Sequence, residues 1–420
     1  CDASPSSWHG TSTASLVAGS ANNAVGMAGS APGAKVVPVR VLGKCYGTDD
    51  DIQAGMLWAA GLPVDGVPTN PNPARVINMS LGGSGSCSAS YQDVVNRITA
   101  AGVTIVAAAG NSAGGPVGTP ANCNGVIGVL ALRHAGSKVG FSDLGPQISI
   151  AAPGGNCINI TAGSPCLYPI LAATNSGARG PQTSGWTDSY DISVGTSFSS
   201  PLVAGVAALM LSQQPGLTPA QVRSALQSTA RPFPTTGADN GPDDPTPVEQ
   251  CHAPTSGVDQ LQCYCNTTYC GAGMMDAGAA VAAVSGPLAR IDLSAPTPTA
   301  GQVVDFSGIN SSMASGRSLA SYAWEVTQNG GIVTGFSSAT NAATASLTPT
   351  AAGSFTVKLT VTDNTGASNA ITRTVTVAAA AVTPPPASSS GGGGGAASLW
   401  WVLGVLTAAV ALRRTAGRSD

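Results

Sequence analysis

Charge is the scarcest property of this 420-residue chain: Asp, Glu, Lys and Arg together make up 9% of it. The 17 Lys and Arg residues are thinly spread, and a net charge of −3 leaves no basic patch. A polyanion such as nucleic acid is thereby excluded as a partner. Histidine is scarcer still, with three in the chain, and the ten cysteines form no C-x-x-C pair. Both absences argue against zinc and for disulfides, hence for an oxidising compartment. His134 and His252 stand in no cluster of ligands and read as loop residues. Glycine, alanine and serine are abundant, and the length suffices for one large domain with a smaller one. The chain opens on Cys1, not Met, with no signal peptide before its first motif. We read it as a processed product or a chain whose front is missing.

The apolar pattern alternates between two periods. Trp8–Gly19 (W-H-G-T-S-T-A-S-L-V-A-G) predicts a short buried helix beginning at the histidine. Val36–Leu42 predicts a strand, and a helix follows near Ile52–Ala60, capped by Asp49–Asp51. Val76–Ser80 predicts a strand and Tyr91–Ala101 a helix with Val94, Val95 and Ile98 on one face. Val103–Ala108, Val126–Leu132 and Ile148–Ala151 predict further strands, apolar along their length. Such strands, with helices between them, define an α/β fold whose parallel sheet is covered on both faces. The run Gly195–Met210 (G-T-S-F-S-S-P-L-V-A-G-V-A-A-L-M) delivers Ser197 to the start of an apolar helix. Pro201 is expected in its first turn, while Ala204, Gly205, Ala207 and Ala208 allow close approach of neighbours. Another helix takes Thr218 as cap and Pro219 as first residue. Gly237–Gly271, with Cys251, Cys263, Cys265 and Cys270, reads as a disulfide-tied insertion, and Gly271–Val281 closes the domain with a short helix.

From about Arg290 the period shortens to two. In Ser354–Asp363 (S-F-T-V-K-L-T-V-T-D), Phe355, Val357, Leu359 and Val361 alternate with polar residues, as in a half-buried strand of a sandwich. A Pro, Ser and Gly linker follows, with nothing to bury. Ala396–Leu412 is an uncharged apolar run ending at Arg413 and Arg414. It is at the lower length limit for a membrane span, with a buried core helix as the alternative.

Three short stretches carry reactive side chains: His9 in H-G-T, Asn111 in A-A-A-G-N and Ser197 in G-T-S. Taken singly they are a capping histidine, a turn-forming asparagine and an N-cap serine. Taken together they can do chemistry. A neutral imidazole suits removal of a serine proton near neutral pH. A carboxamide and the N–H groups of a helix N-terminus suit the oxyanion that would follow.

In this order the motifs resemble the subtilisin-like serine peptidases. H-G-T-S-T-A-S-L-V-A-G is similar to that family's histidine motif, and G-T-S-F-S-S-P to its serine motif. I-N-M-S-L-G-G (Ile77–Gly83) and V-A-A-A-G-N (Val106–Asn111) are similar to the segments that flank the substrate. The resemblance covers about Ser7–Val284 and is closest to the secreted, disulfide-bearing bacterial members. It implies Ser197 as nucleophile, His9 as general base and then acid, and Asn111 with the Ser197 amide as oxyanion hole. Ser80, Leu81 and Gly82, and Ala108, Ala109 and Gly110, would bind a protein or peptide substrate as added strands. Their small side chains imply a roomy, apolar-preferring pocket and broad specificity. The chemistry needs no cofactor, and the resemblance leaves a structural calcium open near Asn22 and Asn23.

The family order is Asp, His, Ser, yet only eight residues precede His9, and Asp2 lies in a loop-like stretch. Asp2 is not assigned. The orienting aspartate, with its strand, is expected upstream of Cys1, and loss of that residue costs a subtilisin roughly 3 × 10⁴ in kcat. The expected domains are 1–286, peptidase-like; 287–378, a sandwich resembling a PKD domain through Tyr322–Val326 and Gly353–Asp363; 379–395, linker; and 396–420, tail. The PKD resemblance implies a module that binds substrate or surface polymers, with a plain spacer equally consistent with the sequence. The tail resembles a GlyGly-CTERM sorting signal, which implies export, transient anchoring and cleavage by a rhomboid-like processing peptidase. A permanent anchor is the alternative. A catalytically dead scaffold that binds peptides at the cell surface is the alternative for the whole. Cys157 with Cys166 is the first disulfide expected, then Cys45 with Cys87 and pairs within Cys251–Cys270.

Overall fold

A computed structural model describes residues 5–43, 46–156, 168–188, 194–238, 246–255 and 257–380. In chain order the first part forms α1 (His9–Ala18), α2 (Asp49–Ala59), β1 (Val76–Met79), α3 (Ala89–Ala100), β2 (Thr104–Ala108), β3 (Ile127–Leu132) and β4 (Ile148–Pro153). Then come β5 (Ala172–Asn175), β6 (Ser184–Thr187), α4 (Thr196–Gln213), α5 (Pro219–Ser228), β7 (Glu249–Gln250), β8 (Cys263–Tyr264) and α6 (Ala277–Ala283). Strands β1 to β4 pair in parallel and in chain order, with Ile77 opposite Ile105 and Ala108 opposite Val129.

Every residue of β2 and β3 is buried, which a sheet achieves only when both faces are covered. Alternate side chains go to opposite sides. Ile77, Met79, Ile105, Ala107 and Leu130 pack with α2 and α3, while Val106, Ile127, Val129, Ile150 and Ala152 pack with α4, α5 and α6. Helix α4 lies across this second face and is buried almost all round. Close approach is possible because its middle is small. A Cβ on Gly205 would run into the Ser30 side chain and stand 3.4 Å from the Ala31 nitrogen.

Four expectations need correction. Val36–Leu42 is not a strand: Val37, Val39 and Val41 turn partly inward by alternation, but no backbone ladder joins them among the described residues. A ladder needs a neighbour, and among the described residues β1 is paired only with β2. Thr48 is the cap of α2, accepting from the Asp51 N–H, and Asp49–Asp51 fill its first turn, where the helix dipole favours them. Pro201 lies inside α4, not in its first turn, because the helix already begins at Thr196. Cys87 bonds to Cys123, not to Cys45, with 5.1 Å between their α-carbons. The other bridges, Cys251–Cys263 and Cys265–Cys270, fall within the expected segment. Cys45, Cys157 and Cys166 lie outside the described residues.

The later part comprises β9 (Asp292–Leu293), β10 (Val304–Ser307), β11 (Leu319–Gln328), β12 (Thr344–Leu347), β13 (Gly353–Asp363) and β14 (Ser368–Val377). Two antiparallel sheets, β9–β10–β12 and β11–β13–β14, enclose Phe306, Trp324, Phe355, Val357, Leu359 and Val361. By contacts the chain divides after Ala378. The expected span at Ala396–Leu412 is outside the described residues, among which no helix is long and apolar enough to cross a membrane.

The packing of α4 on Ser30 and Ala31 is testable. Gly205→Val overfills this contact and is expected to cost about 1–3 kcal/mol, read as a lower urea midpoint with an unchanged slope. A midpoint equal to the parent's would show that the backbones have room to spare.

Candidate active site

A parallel sheet opens its loops at the carboxyl ends of its strands. Here three such ends converge on the first turn of α4. Beyond β4, the Gly154 carbonyl accepts from the Gly195 N–H at 2.8 Å. Beyond β2, the Asn111 carboxamide oxygen accepts from the Thr196 N–H at 2.9 Å. Beyond β1, the Ser80 carbonyl accepts from the Ser197 hydroxyl at 3.3 Å. Gly195 has φ +145°, a conformation open to glycine, and this delivers Ser197 as the second residue of the helix.

Pro201 gives the serine a further anchor. Lacking an N–H, it leaves the Ser197 carbonyl without its intrahelical donor. The Ser80 hydroxyl donates to that carbonyl instead, at 2.7 Å. Ser80 is itself oriented by the Asn78 carboxamide N–H at 2.9 Å, and the Asn78 oxygen accepts from the Ser200 hydroxyl. The nucleophile candidate is thus tied to β1 through both its hydroxyl and its carbonyl.

Hydrogen bonds also settle which way Asn111 faces. Its oxygen accepts from both the Thr196 N–H and the Thr196 hydroxyl, each at 2.9 Å. The carboxamide N–H groups therefore point away from Thr196, and the nitrogen lies 3.6 Å from where a Cβ on Gly195 would stand. The Ser197 N–H, in the first helical turn, has no intrahelical acceptor by geometry. Two donors beside one hydroxyl make a place where an oxyanion would be stabilised.

His9 is the first residue of α1 and half-buried. The helix is fastened to β5 by the Ser12 hydroxyl on the Ala173 carbonyl at 2.8 Å and the Ala173 N–H on the Ser15 hydroxyl at 3.0 Å. Leu16, Ala172 and Phe198 form a small core between α1, β5 and α4. The imidazole stands edge-on to Phe198, the residue after Ser197, with 6.1 Å between ring centroids. No described residue hydrogen-bonds the ring, and burial holds its pKa below the ordinary 6.5. Asp2 is outside the described residues.

A cavity of about 340 Å³ adjoins Ser197 and Asn111 and is lined by Leu81, Gly82, Ala108, Ala109, Gly110 and Asp143 among others. The expectation that Ala108–Gly110 pairs with a substrate strand needs correction. The Ala109 N–H donates to Val129 and its carbonyl accepts from Gly118; the Gly110 N–H meets the Thr196 hydroxyl and its carbonyl accepts from Asp143. This segment forms a wall. Among the described residues, no backbone bond engages the Leu81 and Gly82 N–H and carbonyl groups.

Asn23 accepts from the Val25 N–H at 3.1 Å, a local turn bond. No group of three ligating His, Cys, Asp or Glu side chains gathers there among the described residues. Cys251, Cys265 and Cys270 do lie close together, and all are disulfide-bonded. Motif reading passed over Thr196, Asn78, Lys138 and Asp143. For the last two the available signal was charge in a chain with so little of it, inside Lys138–Asp143.

With this geometry in view, the class is clear. The Subtilase family model matches residues 2–248, and the chain belongs to that family. A K319L-like PKD domain model matches residues 293–377. The chain is 48% identical over 234 residues to an extracellular protease of Xanthomonas campestris pv. campestris, covering 55% of this chain and 37% of that one. It is 44% identical over 233 residues to an extracellular basic protease of Dichelobacter nodosus, covering 54% and 36%. The match thus spans little more than a third of either relative. A solved protease structure from Pseudoalteromonas arctica aligns with a TM-score of 0.56 at 42% identity, over 67% of this chain and 72% of that one. The fold is the subtilisin-like α/β parallel sheet followed by a PKD-type all-β region.

Lys138 is fully buried beneath this site, and burial pushes its pKa down to about 7 from 10.5. An unfolded lysine keeps its proton up to 10.5, so between those values the unfolded chain binds more protons and stability rises with pH. Measured in Ser197→Ala protein, the unfolding free energy relative to Lys138→Met should rise from pH 7 to pH 9, by at most about 1.4 kcal/mol per unit. A difference that falls over this interval contradicts the assignment.

Proposed function

We propose that this chain is the catalytic part of an exported serine endopeptidase that hydrolyses proteins with broad specificity. One observation carries the reading: Thr196 engages the Asn111 oxygen, which leaves the Asn111 N–H groups free toward the cavity that Asn111 and Ser197 both line. The subtilase family membership and the extracellular protease relatives support it.

In the proposed reaction a peptide lies along the open groups of Leu81 and Gly82, with one side chain in the glycine- and alanine-walled cavity. The Ser197 oxygen attacks the carbonyl while His9 takes the proton, which requires the hydroxyl to turn from the Ser80 carbonyl to the imidazole. Negative charge then develops on the carbonyl oxygen and is met by the Asn111 and Ser197 N–H groups. His9, now protonated, gives its proton to the leaving amine, and water repeats the sequence on the acyl-enzyme. The carboxylate that completes a charge relay by orienting His9 comes, in this proposal, from outside the described residues.

Residues 1–286 would be the peptidase domain, 287–378 a PKD-type sandwich, 379–395 a linker and 396–420 a tail. The tail would anchor the exported protein transiently until a rhomboid-like peptidase cuts it. The intact mass of exported protein should then lack the residues after the glycine run.

A fluorophosphonate should label the chain once, at Ser197, and Ser197→Ala should abolish labelling. Labelling that survives the substitution places the nucleophile elsewhere. A buried imidazole without a carboxylate partner is neutral above a midpoint lower than 6.5, so the labelling rate should rise with pH through such a midpoint and then level off. A carboxylate beside the ring moves that midpoint up, because it favours the imidazolium. A midpoint above 6.5 in this chain alone would contradict the proposed His9 environment.

A further inference from the structure

The segment Asn111–Gly115, which carries the oxyanion donor, has little core of its own. It leaves β2 through Gly110 at φ +120° and continues through Gly114 at φ +90°. What shapes it is the stretch Phe141–Leu144 lying beneath. The Ala113 N–H donates to the Phe141 carbonyl at 3.0 Å, the Asp143 N–H to the Gly110 carbonyl at 3.0 Å, and the Leu144 N–H to the Gly115 carbonyl at 3.1 Å. At the centre is a carboxylate. One oxygen of Asp143 accepts from the Ser112 N–H at 2.8 Å and from the Gly115 N–H at 2.9 Å. Its other oxygen fills the space that a Cβ on residue 110 would need, so the A-G-N motif requires its glycine.

Asp143 is 3% exposed, and burying a carboxylate is costly unless it is well paired. Two pairings offset part of the cost, and burial still holds the Asp143 pKa above the ordinary carboxylate value. The N–H groups of the loop bond directly, and Lys138 stands within Coulombic reach. The Lys138 Nζ donates to the carbonyls of Val139, Gly140 and Ser142 at 3.1, 3.2 and 2.8 Å, fixing the turn that presents Asp143. From the other side the Gln260 N–H donates to the Ala113 carbonyl at 2.7 Å, so the disulfide-tied segment backs the same loop.

We propose that Asp143 is a positioning residue for peptide hydrolysis: by bridging the Ser112 and Gly115 N–H groups it sets where the Asn111 carboxamide meets the developing oxyanion. This rests on the peptidase reading above. Asp143 also lines the substrate cavity, which raises the question of a role in choosing a basic side chain. Its partners argue against that, because the Ser112 and Gly115 N–H groups already occupy one carboxylate oxygen and the other lies against Gly110.

The mechanism predicts a split between variants. Asp143→Asn keeps an oxygen that accepts from both N–H groups, whereas Asp143→Ala removes that acceptor from two part-buried donors. Because a displacement of about 1 Å at a reacting centre can cost ~10²-fold, Asp143→Ala should lower kcat by roughly 10- to 100-fold with KM within about threefold. Asp143→Asn should recover most of that loss. Hydrogen exchange is read in parallel on the Ser197→Ala protein. There, Asp143→Ala should speed exchange in peptides covering residues 110–116, and Asp143→Asn should not.

Unchanged exchange in Asp143→Ala overturns the proposal whether or not the chain hydrolyses peptides. A loss of activity confined to substrates with a basic residue before the scissile bond, and carried by KM, also overturns it and assigns Asp143 to specificity. Equal losses of kcat and melting temperature in both variants reduce Asp143 to a structural role and overturn it as well. Absence of Ser197 labelling in the parent, with the exchange pattern as predicted, defeats the peptidase reading and leaves the loop anchor standing.

Discussion

The contact between Thr196 and the Asn111 carboxamide is the constraint from which the site follows. A carboxamide offers an acceptor at one end and donors at the other, and a half-turn about its last bond exchanges them. Two donors from Thr196 on the oxygen make one orientation favourable, since the flipped state would set N–H against N–H. A single residue pair thereby joins the loop after β2 to the start of α4 and decides that donors, not an acceptor, face the place beside Ser197. The scaffold makes this possible because a parallel sheet gathers its loop ends at one edge.

Proline is used here in an unusual position. Within a helix it removes a hydrogen bond and is ordinarily destabilising by about 3 kcal/mol. Pro201 removes the bond to the Ser197 carbonyl, and Ser80 from β1 supplies a replacement. The helix loses an internal link and gains one to the sheet, at the proposed nucleophile. At its centre, Gly205 then lets the helix pass close to the Ser30 side chain and the Ala31 nitrogen.

Much of this is legible in residue order. The helix beginning at His9, the wholly buried β2 and β3, and the alternation of Phe355, Val357, Leu359 and Val361 all stand where period and composition place them. What was not legible depended on partners distant in sequence. Val36–Leu42 has the side-chain alternation of a strand but no ladder among the described residues, and composition cannot reveal a missing neighbour. The pairing of Cys87 with Cys123 follows from α3 lying beside the loop before β3, which spacing does not encode. Asp143 matches no motif, because its role lies in the two N–H groups it accepts from, about thirty residues upstream. The disulfide-tied segment read as an insertion, and its four cysteines are buried against the main core while Gln260 reaches the Asn111–Gly115 loop.

The central claim is that Asn111 and the Ser197 N–H are preset for a tetrahedral oxyanion. The most direct test is a crystal structure of the chain reacted with a peptide boronic acid, whose boron takes up the geometry of the intermediate. The account predicts a covalent bond to the Ser197 oxygen, with one boronate oxygen about 2.7–3.1 Å from both the Asn111 nitrogen and the Ser197 nitrogen. An adduct on another side chain, or an Asn111 whose oxygen faces the boronate, would contradict it.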